Sequence, residues 1–154
     1  MLDNDFTKIL VLMTVYNGDD WVLQQIDSIL NQDNVNVTLV LSDDQSTDKS
    51  LQTIKSHYQL NNNVEILTSP IRNGSAGQHF FSLFRYVNVE NFDYIALSDQ
   101  DDIWLPGKLF NAVAMLSRTR SGGYSCASRA FWNNGQEKVL YQSSSETECD
   151  FLFE

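Results

Sequence analysis

The chain has 154 residues and a mass of 17.6 kDa. This length fits one domain that needs no disulfide or metal to fold, because it buries roughly 70% of its unfolded surface. Hydrophobic residues make up 42% and charged residues 19%, a balance that excludes a disordered chain. Acidic residues outnumber basic residues by 20 to 10, and the net charge of -10 repels phosphate backbones, so we expect no nucleic-acid partner.

Strands and helices are predicted to alternate over residues 8–118. Continuous apolar runs indicate buried strands, and apolar residues spaced three and four apart indicate helices. The predicted strands are residues 8–15, 35–42, 64–68 and 93–98. The predicted helices are residues 19–31, a segment capped by Ser46 or Thr47 that ends at Tyr58, residues 78–87, and a helix opened by Pro106. This order predicts an α/β fold with a mainly parallel sheet and helices on both faces.

The pattern changes after residue 120. The pair Gly122-Gly123 interrupts the chain, and residues 124–132 and 137–142 are predicted to form a hairpin around Asn133-Asn134-Gly135. We therefore divide the chain into a core over residues 1–120 and the beginning of a further, incomplete region over residues 121–154.

The chain carries no predicted membrane span. Its longest apolar run near the N-terminus, residues 9–13, is too short to cross a bilayer. The two cysteines, Cys126 and Cys149, do not make a disulfide framework and fit a reducing compartment. We expect a cytoplasmic protein, with peripheral attachment to the inner face of the membrane as an alternative.

Polar side chains follow each of the four predicted strands of the core. In an open parallel sheet, ligands bind beyond the carboxyl ends of the strands, so these side chains are expected to share one site. They are Thr14, Tyr16 and Asn17 after the first strand, Asp43 and Asp44 after the second, Arg72 and Asn73 after the third, and Asp99, Asp101 and Asp102 after the fourth.

The turn after the first strand excludes two common nucleotide sites. Residues 16–20 contain a single glycine, Gly18, and two carboxylates, Asp19 and Asp20, that repel phosphate. A dinucleotide fold needs a glycine-rich turn there, so NAD and FAD are not expected. The chain also lacks the GxxxxGK[ST] pattern of a P-loop.

The acidic loop that follows the fourth strand indicates a divalent cation. Three carboxylates, Asp99, Asp101 and Asp102, lie within four residues. Because like charges raise one another's pKa in a cleft, a hard cation such as Mg²⁺ or Mn²⁺ relieves the conflict. The alternative is a solvated acidic loop in which Asp102 caps the next helix. Trp104 beside the loop is expected to offer a sugar a stacking face.

Two further features suggest a pyrimidine diphosphate. Asp44 is placed to accept the ring N3–H of uracil or thymine, with Thr14 beside the base and Tyr16 as a stacking face. Arg72 is a candidate to neutralise a diphosphate, although a lone exposed arginine is more often an ordinary surface residue. Capping of the next helix is the alternative role for Asp43 and Asp44. The histidines, His57 and His79, are both expected outside the site, although His79 follows the third strand closely.

Three motifs resemble the family 2 glycosyltransferases of GT-A fold: TVYN at residues 14–17, SDDQSTD at 42–48 and DQDDIWLP at 99–106. The resemblance runs from about Lys8 to Leu116, and the third motif is most similar to bacterial rhamnosyltransferases and related polysaccharide-building enzymes. It implies a Rossmann-like GT-A core over residues 1–120 and an acceptor-side region that begins at residue 121.

The resemblance also implies an activity. This is inverting, metal-dependent transfer of a sugar from a UDP- or dTDP-sugar, with dTDP-rhamnose as a candidate donor, in bacterial surface polysaccharide synthesis. The acceptor would be a saccharide or a lipid-linked saccharide. Asp44 would hold the pyrimidine, Asp99 would lie near the ribose, and Asp101, with Asp99 as a second candidate, would bind Mg²⁺ or Mn²⁺. The full expected site comprises Thr14, Tyr16, Asn17, Asp43, Asp44, Arg72, Asp99, Asp101, Asp102 and Trp104.

The sequence departs from the family pattern in three places. Gln45 stands where the family usually has glycine, and residues 72–78 fit an Asn/Gly-rich segment only loosely. The chain also stops early, so we assign no general base, although Glu146, Glu148 and Asp150 lie in the expected direction. A truncated chain would bind the donor without turnover, which is the first alternative.

The second alternative is a phosphatase of the haloacid dehalogenase type. That class has its Asp-x-Asp motif after the first strand, whereas here the motif follows the fourth. A receiver domain likewise needs its acids on other strands and a downstream lysine.

Overall fold

The central strand of the protein, β1 (Lys8–Val15), is buried at seven of its eight residues. The structure is a computed structural model that describes residues 6–132 and 134–141. Strand β1 pairs in parallel with β2 (Asn36–Asp43) on one side and with β4 (Tyr94–Ser98) on the other. Strand β3 (Val64–Thr68) pairs in parallel with β2, which gives the order β3-β2-β1-β4. The prediction of a mainly parallel sheet is confirmed.

The register brings the carboxyl ends of all four strands to one edge. Val15 pairs with Asp43, Asp43 with Thr68, and Met13 with Ser98. The residues that follow these positions therefore meet at the same side of the sheet, where an open parallel sheet binds ligands.

Helices cover both faces of this sheet. On one face, Leu10 and Leu12 of β1 form a buried cluster with Val40 and with Leu83 of helix α3 (Ala76–Phe84). Ser98 of β4 pairs with Met13, whose side chain points to the face opposite that of Leu10 and Leu12. Ser98 Oγ accepts a hydrogen bond at 2.6 Å from Gln25 Nε2 of α1 (Val22–Leu30). Because successive side chains of a strand point to opposite faces, α1 and α3 lie on opposite sides of the sheet.

Every helix begins at a residue other than the predicted one. Helix α1 starts three residues late because Gly18 O accepts hydrogen bonds from Trp21 N and Val22 N in a preceding turn. Helix α2 (Ser50–Tyr58) starts after Asp48, whose Oδ1 accepts a hydrogen bond from Ser50 N at 2.9 Å. The prediction that Ser46 or Thr47 caps α2 was wrong. Ser75 caps α3 by accepting from Gln78 N, and α4 (Lys108–Thr119) begins two residues after Pro106.

Two compact units divide the chain, residues 1–111 and residues 112–154. The second contains the predicted hairpin, in which β5 (Ser128–Phe131) pairs antiparallel with β6 (Glu137–Leu140). Several residues that the sequence analysis names lie outside the described residues: Gln142, Glu146, Glu148, Cys149 and Asp150. Our functional division at residue 120 stays a prediction. Within the described part of the chain, none of the helices combines the length and apolar character that a bilayer crossing requires.

The buried position of β1 makes a prediction about stability. Replacing Leu12, which is fully buried, by alanine should lower the free energy of unfolding by about 2–5 kcal/mol, because a cavity remains in the core. Leu60→Ala is the control, since Leu60 is 90% exposed and its truncation should change little. Urea unfolding followed by tryptophan fluorescence measures both variants, and equal midpoints would contradict the position of β1 in the core.

Candidate functional site

A cleft of about 470 Å³ lies at the carboxyl edge of the sheet, within the first compact unit. Residues that follow all four strands contribute to its wall. It is lined by Thr14, Val15, Tyr16, Asp44, Arg72, Gly74, Ser75, Ala76, His79, Asp99, Gln100 and Asp101. Six of the ten residues expected from the sequence are therefore brought together here: Thr14, Tyr16, Asp44, Arg72, Asp99 and Asp101.

The turn after β1 presents an aromatic ring to the cleft. Tyr16 is half-buried, and the guanidinium carbon of Arg72 lies 4.1 Å from the centroid of its ring. An arginine at this distance over an aromatic face makes a cation–π contact. Arg72 therefore contacts the aromatic ring that lines the cleft, and the loop after β3 and the turn after β1 form adjacent walls.

Asn17 joins the first two motifs and does not line the cleft. It adopts a φ of 50°, which turns the chain after β1. Its Oδ1 accepts hydrogen bonds from Thr47 N at 2.8 Å and from Thr47 Oγ1 at 3.3 Å, and Ser46 Oγ accepts one from Asn17 N at 2.9 Å. The side chain thus positions the loop that begins with Asp43 and Asp44.

The two aspartates at the end of β2 have different surroundings. Asp44 Oδ1 accepts hydrogen bonds from Asn73 N at 2.7 Å and from Asn73 Nδ2 at 2.8 Å, and its Oδ2 accepts one from Gly74 N at 3.2 Å. Burial by itself raises the pKa of Asp44, but these hydrogen bonds outweigh it and hold the pKa below its ordinary value. Asp44 therefore stays ionised at the cleft wall and fixes the loop after β3.

Asp43 is almost fully buried and does not line the cleft. Its Oδ2 accepts a hydrogen bond from Ser46 N at 3.0 Å, which closes the turn. Its Oδ1 makes no hydrogen bond with any described residue. Gln45 in this turn adopts a φ of 60°. A left-handed conformation costs a residue with a Cβ about 1–2 kcal/mol, which accounts physically for the glycine that the family usually has here.

The acidic loop places two carboxylates in the cleft. Asp99 and Asp101 line it, whereas Asp102 is exposed and does not. Loss of water around the Asp99 carboxyl, and then the negative charges of Asp102 and Asp101, raise its pKa above the ordinary value. A cation beside these groups would stabilise the ionised form of Asp99.

The donor set fits a cation that is bound partly by a substrate. The described residues contain no group of three or more histidine, cysteine and acidic side chains placed to hold a metal by themselves. Mg²⁺ in nucleotide sites typically takes one or two carboxylates and completes its shell with phosphate oxygens and water. Asp99 and Asp101 supply that number.

Trp104 is not brought to the cleft. Its side chain is 5% exposed, and Lys108 Nζ lies 4.2 Å from the centroid of its ring. The backbone N of Trp104 donates a hydrogen bond to Ser28 Oγ of α1 at 3.0 Å. These contacts pack the segment before α4 against α1, and they leave little of the ring for a sugar.

His79 lines the cleft, although it was expected to lie outside the site. It is 2% exposed, and its Nε2 is 2.8 Å from Ser42 Oγ of β2. Burial lowers the pKa of His79, and the charges of Asp44 and Asp43 oppose that effect. The spacing of four residues between His79 and the buried Leu83 was the available signal, because it puts both on the inner face of α3.

Comparison with known proteins identifies the family. The family model described as glycosyl transferase family 2 matches residues 10–150. The dTDP-rhamnosyl transferase RfbG of Shigella flexneri is 38% identical over 144 residues, which cover 92% of this chain and 50% of that protein. The putative glycosyltransferase EpsE of Bacillus subtilis is 32% identical over 120 residues, covering 76% of this chain and 41% of that protein. The chain thus spans about half the length of these curated relatives or less.

Solved structures share the fold. The mannosyltransferase PcManGT of Pyrobaculum calidifontis, in complex with GDP-Man and Mn²⁺, superposes with a TM-score of 0.66 at 22% identity over 80% of this chain and 36% of that one. TarS of S. aureus in complex with UDP-GlcNAc gives 0.60 at 19% identity over 84% of this chain and 42% of that one. The expected GT-A fold is confirmed. Because the family model covers most of its length, the chain belongs to glycosyl transferase family 2.

Proposed function

We propose that the protein is a metal-dependent, inverting glycosyltransferase that uses a uridine or thymidine diphosphate sugar, and that this chain forms its donor site. The observation that carries the proposal is the single cleft shared by Asp44, Tyr16, Asp99 and Asp101. It combines an ionised hydrogen-bond acceptor, an aromatic face and a pair of carboxylates. A pyrimidine nucleoside diphosphate with its cation requires these three elements together.

The base end of the donor is assigned to Asp44 and Tyr16. A carboxylate accepts a hydrogen bond from the N3–H of uracil or thymine, whereas adenine has no proton at the corresponding ring position. The low pKa of Asp44 keeps it an acceptor at neutral pH. The relative RfbG is named as a dTDP-rhamnosyl transferase, which supports a thymidine diphosphate donor, and we propose dTDP-rhamnose as a candidate.

The diphosphate end is assigned to Asp99 and Asp101, with Mg²⁺ or Mn²⁺ as the cation. When bound, this cation offsets the charge that develops on the leaving diphosphate. Asp99 and Asp101 would hold the cation, and the cation would in turn hold the diphosphate. The solved PcManGT complex with Mn²⁺ supports the use of a divalent ion. We assign no general base to the described residues.

The acceptor is proposed to be a saccharide or lipid-linked saccharide of a bacterial surface polysaccharide, at the inner face of the membrane. Support comes from a relative in Escherichia coli that is 28% identical and is named as a glucosyltransferase acting on a GlcNAc-diphosphoundecaprenol. Donor binding without transfer is the second candidate, because the chain spans only half of RfbG. An assay for released nucleotide diphosphate separates the two, since transfer or slow donor hydrolysis releases it and binding alone does not.

Nucleotide titrations test the base assignment. With Mn²⁺ present, UDP and dTDP should bind more tightly than ADP in isothermal titration calorimetry. Asp44→Asn should weaken UDP binding by about 10- to 100-fold, the loss expected for a hydrogen bond to a charged group. The control is Asp33→Asn, at an exposed position away from the cleft. Equal affinities for ADP and UDP would refute the assignment of Asp44 to the base.

Metal titrations test the diphosphate assignment. Omitting Mn²⁺ should weaken UDP binding to the unmodified chain, and Asp101→Asn should remove most of this dependence because one of two cation ligands is lost. Circular dichroism verifies that the variant is folded. Asp20→Asn, at an exposed turn position before α1, is the matched control and should keep the full response to Mn²⁺. An unchanged response in Asp101→Asn would remove Asp101 from the cation site.

A further inference from the structure

We propose that Gln100 is a positioning residue that couples the base end of the site to its cation end. The inference deepens the proposed function and rests on it. Gln100 lies between Asp99 and Asp101 in the acidic loop, yet both ends of its amide bind the turn after β1. Tyr16 N donates to Gln100 Oε1 at 2.7 Å, and Gln100 Nε2 donates to Tyr16 O at 2.9 Å.

This pair of hydrogen bonds prolongs the β1–β4 pairing beyond the last ladder residues. Met13 and Ser98 form the last backbone pair, and the chains then diverge into their two loops. A neutral amide carries both a donor and an acceptor, so it satisfies the N–H and the C=O of one peptide residue as a neighbouring strand would. Gln100 therefore fixes the backbone of Tyr16 relative to the acidic loop.

The turn provides space for this amide at Gly18. A Cβ added to Gly18 would lie 2.6 Å from both Gln100 Cδ and Gln100 Oε1, closer than real Cβ contacts. Gly18 does not adopt a left-handed φ, so a Cβ at this position would act on the structure by displacing the end of the Gln100 side chain and not by straining the backbone. The close approach of the Gln100 amide to Gly18 and its hydrogen bonds to Tyr16 thus agree on one position for the Gln100 side chain.

The consequence is a mechanical link between the two ends of the cleft. Tyr16 is the aromatic face assigned to the base, and Asp99 and Asp101, on either side of Gln100, are assigned to the cation. A cation that fixes the acidic loop therefore also fixes Tyr16 through the Gln100 amide. We expect Mn²⁺ to strengthen UDP binding more in the unmodified chain than in a chain without this link.

The experiment compares UDP affinity with and without Mn²⁺ by calorimetry. Gln100→Met keeps the length of the side chain but removes both hydrogen bonds, and the enhancement of UDP binding by Mn²⁺ should fall about 10-fold, as expected for the loss of two neutral hydrogen bonds. Gly18→Ala, which displaces the amide while residue 100 stays unchanged, should give a similar loss. The double variant Gly18→Ala/Gln100→Ala should be no worse than Gln100→Ala alone, because the clash has been removed.

A second measurement needs no ligand. Hydrogen exchange of the Tyr16 amide should accelerate in Gln100→Met, while that of the β1 amides within the sheet should not, which excludes general destabilisation. An unchanged Mn²⁺ enhancement or an unchanged Tyr16 exchange rate in Gln100→Met would overturn the role of Gln100. Absence of UDP binding to the unmodified chain with Mn²⁺ would instead overturn the proposed function, and the coupling role with it.

Discussion

The parallel pairing of β1 with both of its neighbours is the constraint on which the site depends. Polar residues separated by more than 80 positions in the sequence meet only because β2 and β4 end beside the same end of β1. The apolar side chains of β1 hold that arrangement through helices on both faces. The core thus determines the place of the cleft, while the loops determine what it binds.

The cleft contains carboxylates in two electrostatic states. Asp44 is surrounded by hydrogen-bond donors from Asn73 and Gly74, so its charge is already stabilised by the protein. Asp99 loses water on burial and also faces the charges of Asp102 and Asp101, so its pKa is raised and its ionised form is disfavoured. The first arrangement suits recognition of a neutral base, and the second suits a cation brought with an anionic substrate. In the proposed function, these surroundings would assign the base to Asp44 and the cation to Asp99.

The sequence was sufficient for features that depend on local pattern. The four strands of the core sheet begin and end within a residue of their predicted limits, because each is a short run rich in apolar residues. Contacts between segments that are distant in the sequence could not be predicted. The bond from His79 to Ser42 spans 37 positions and that from Gln100 to Tyr16 spans 84, and no local periodicity encodes either pair. Trp104 was misjudged for the same reason, since its position is fixed by Ser28 of α1.

The contact of Arg72 with Tyr16 limits how a planar ligand could approach the Tyr16 ring. The guanidinium rests on one side of the phenol ring, so a planar ligand reaches that side only by displacing the arginine or by stacking on its outer surface. Arg72 is exposed and follows β3 in a loop, and its long side chain has several rotamers available. The space beside the Tyr16 ring is therefore set by a side chain that can change rotamer and not by rigid backbone.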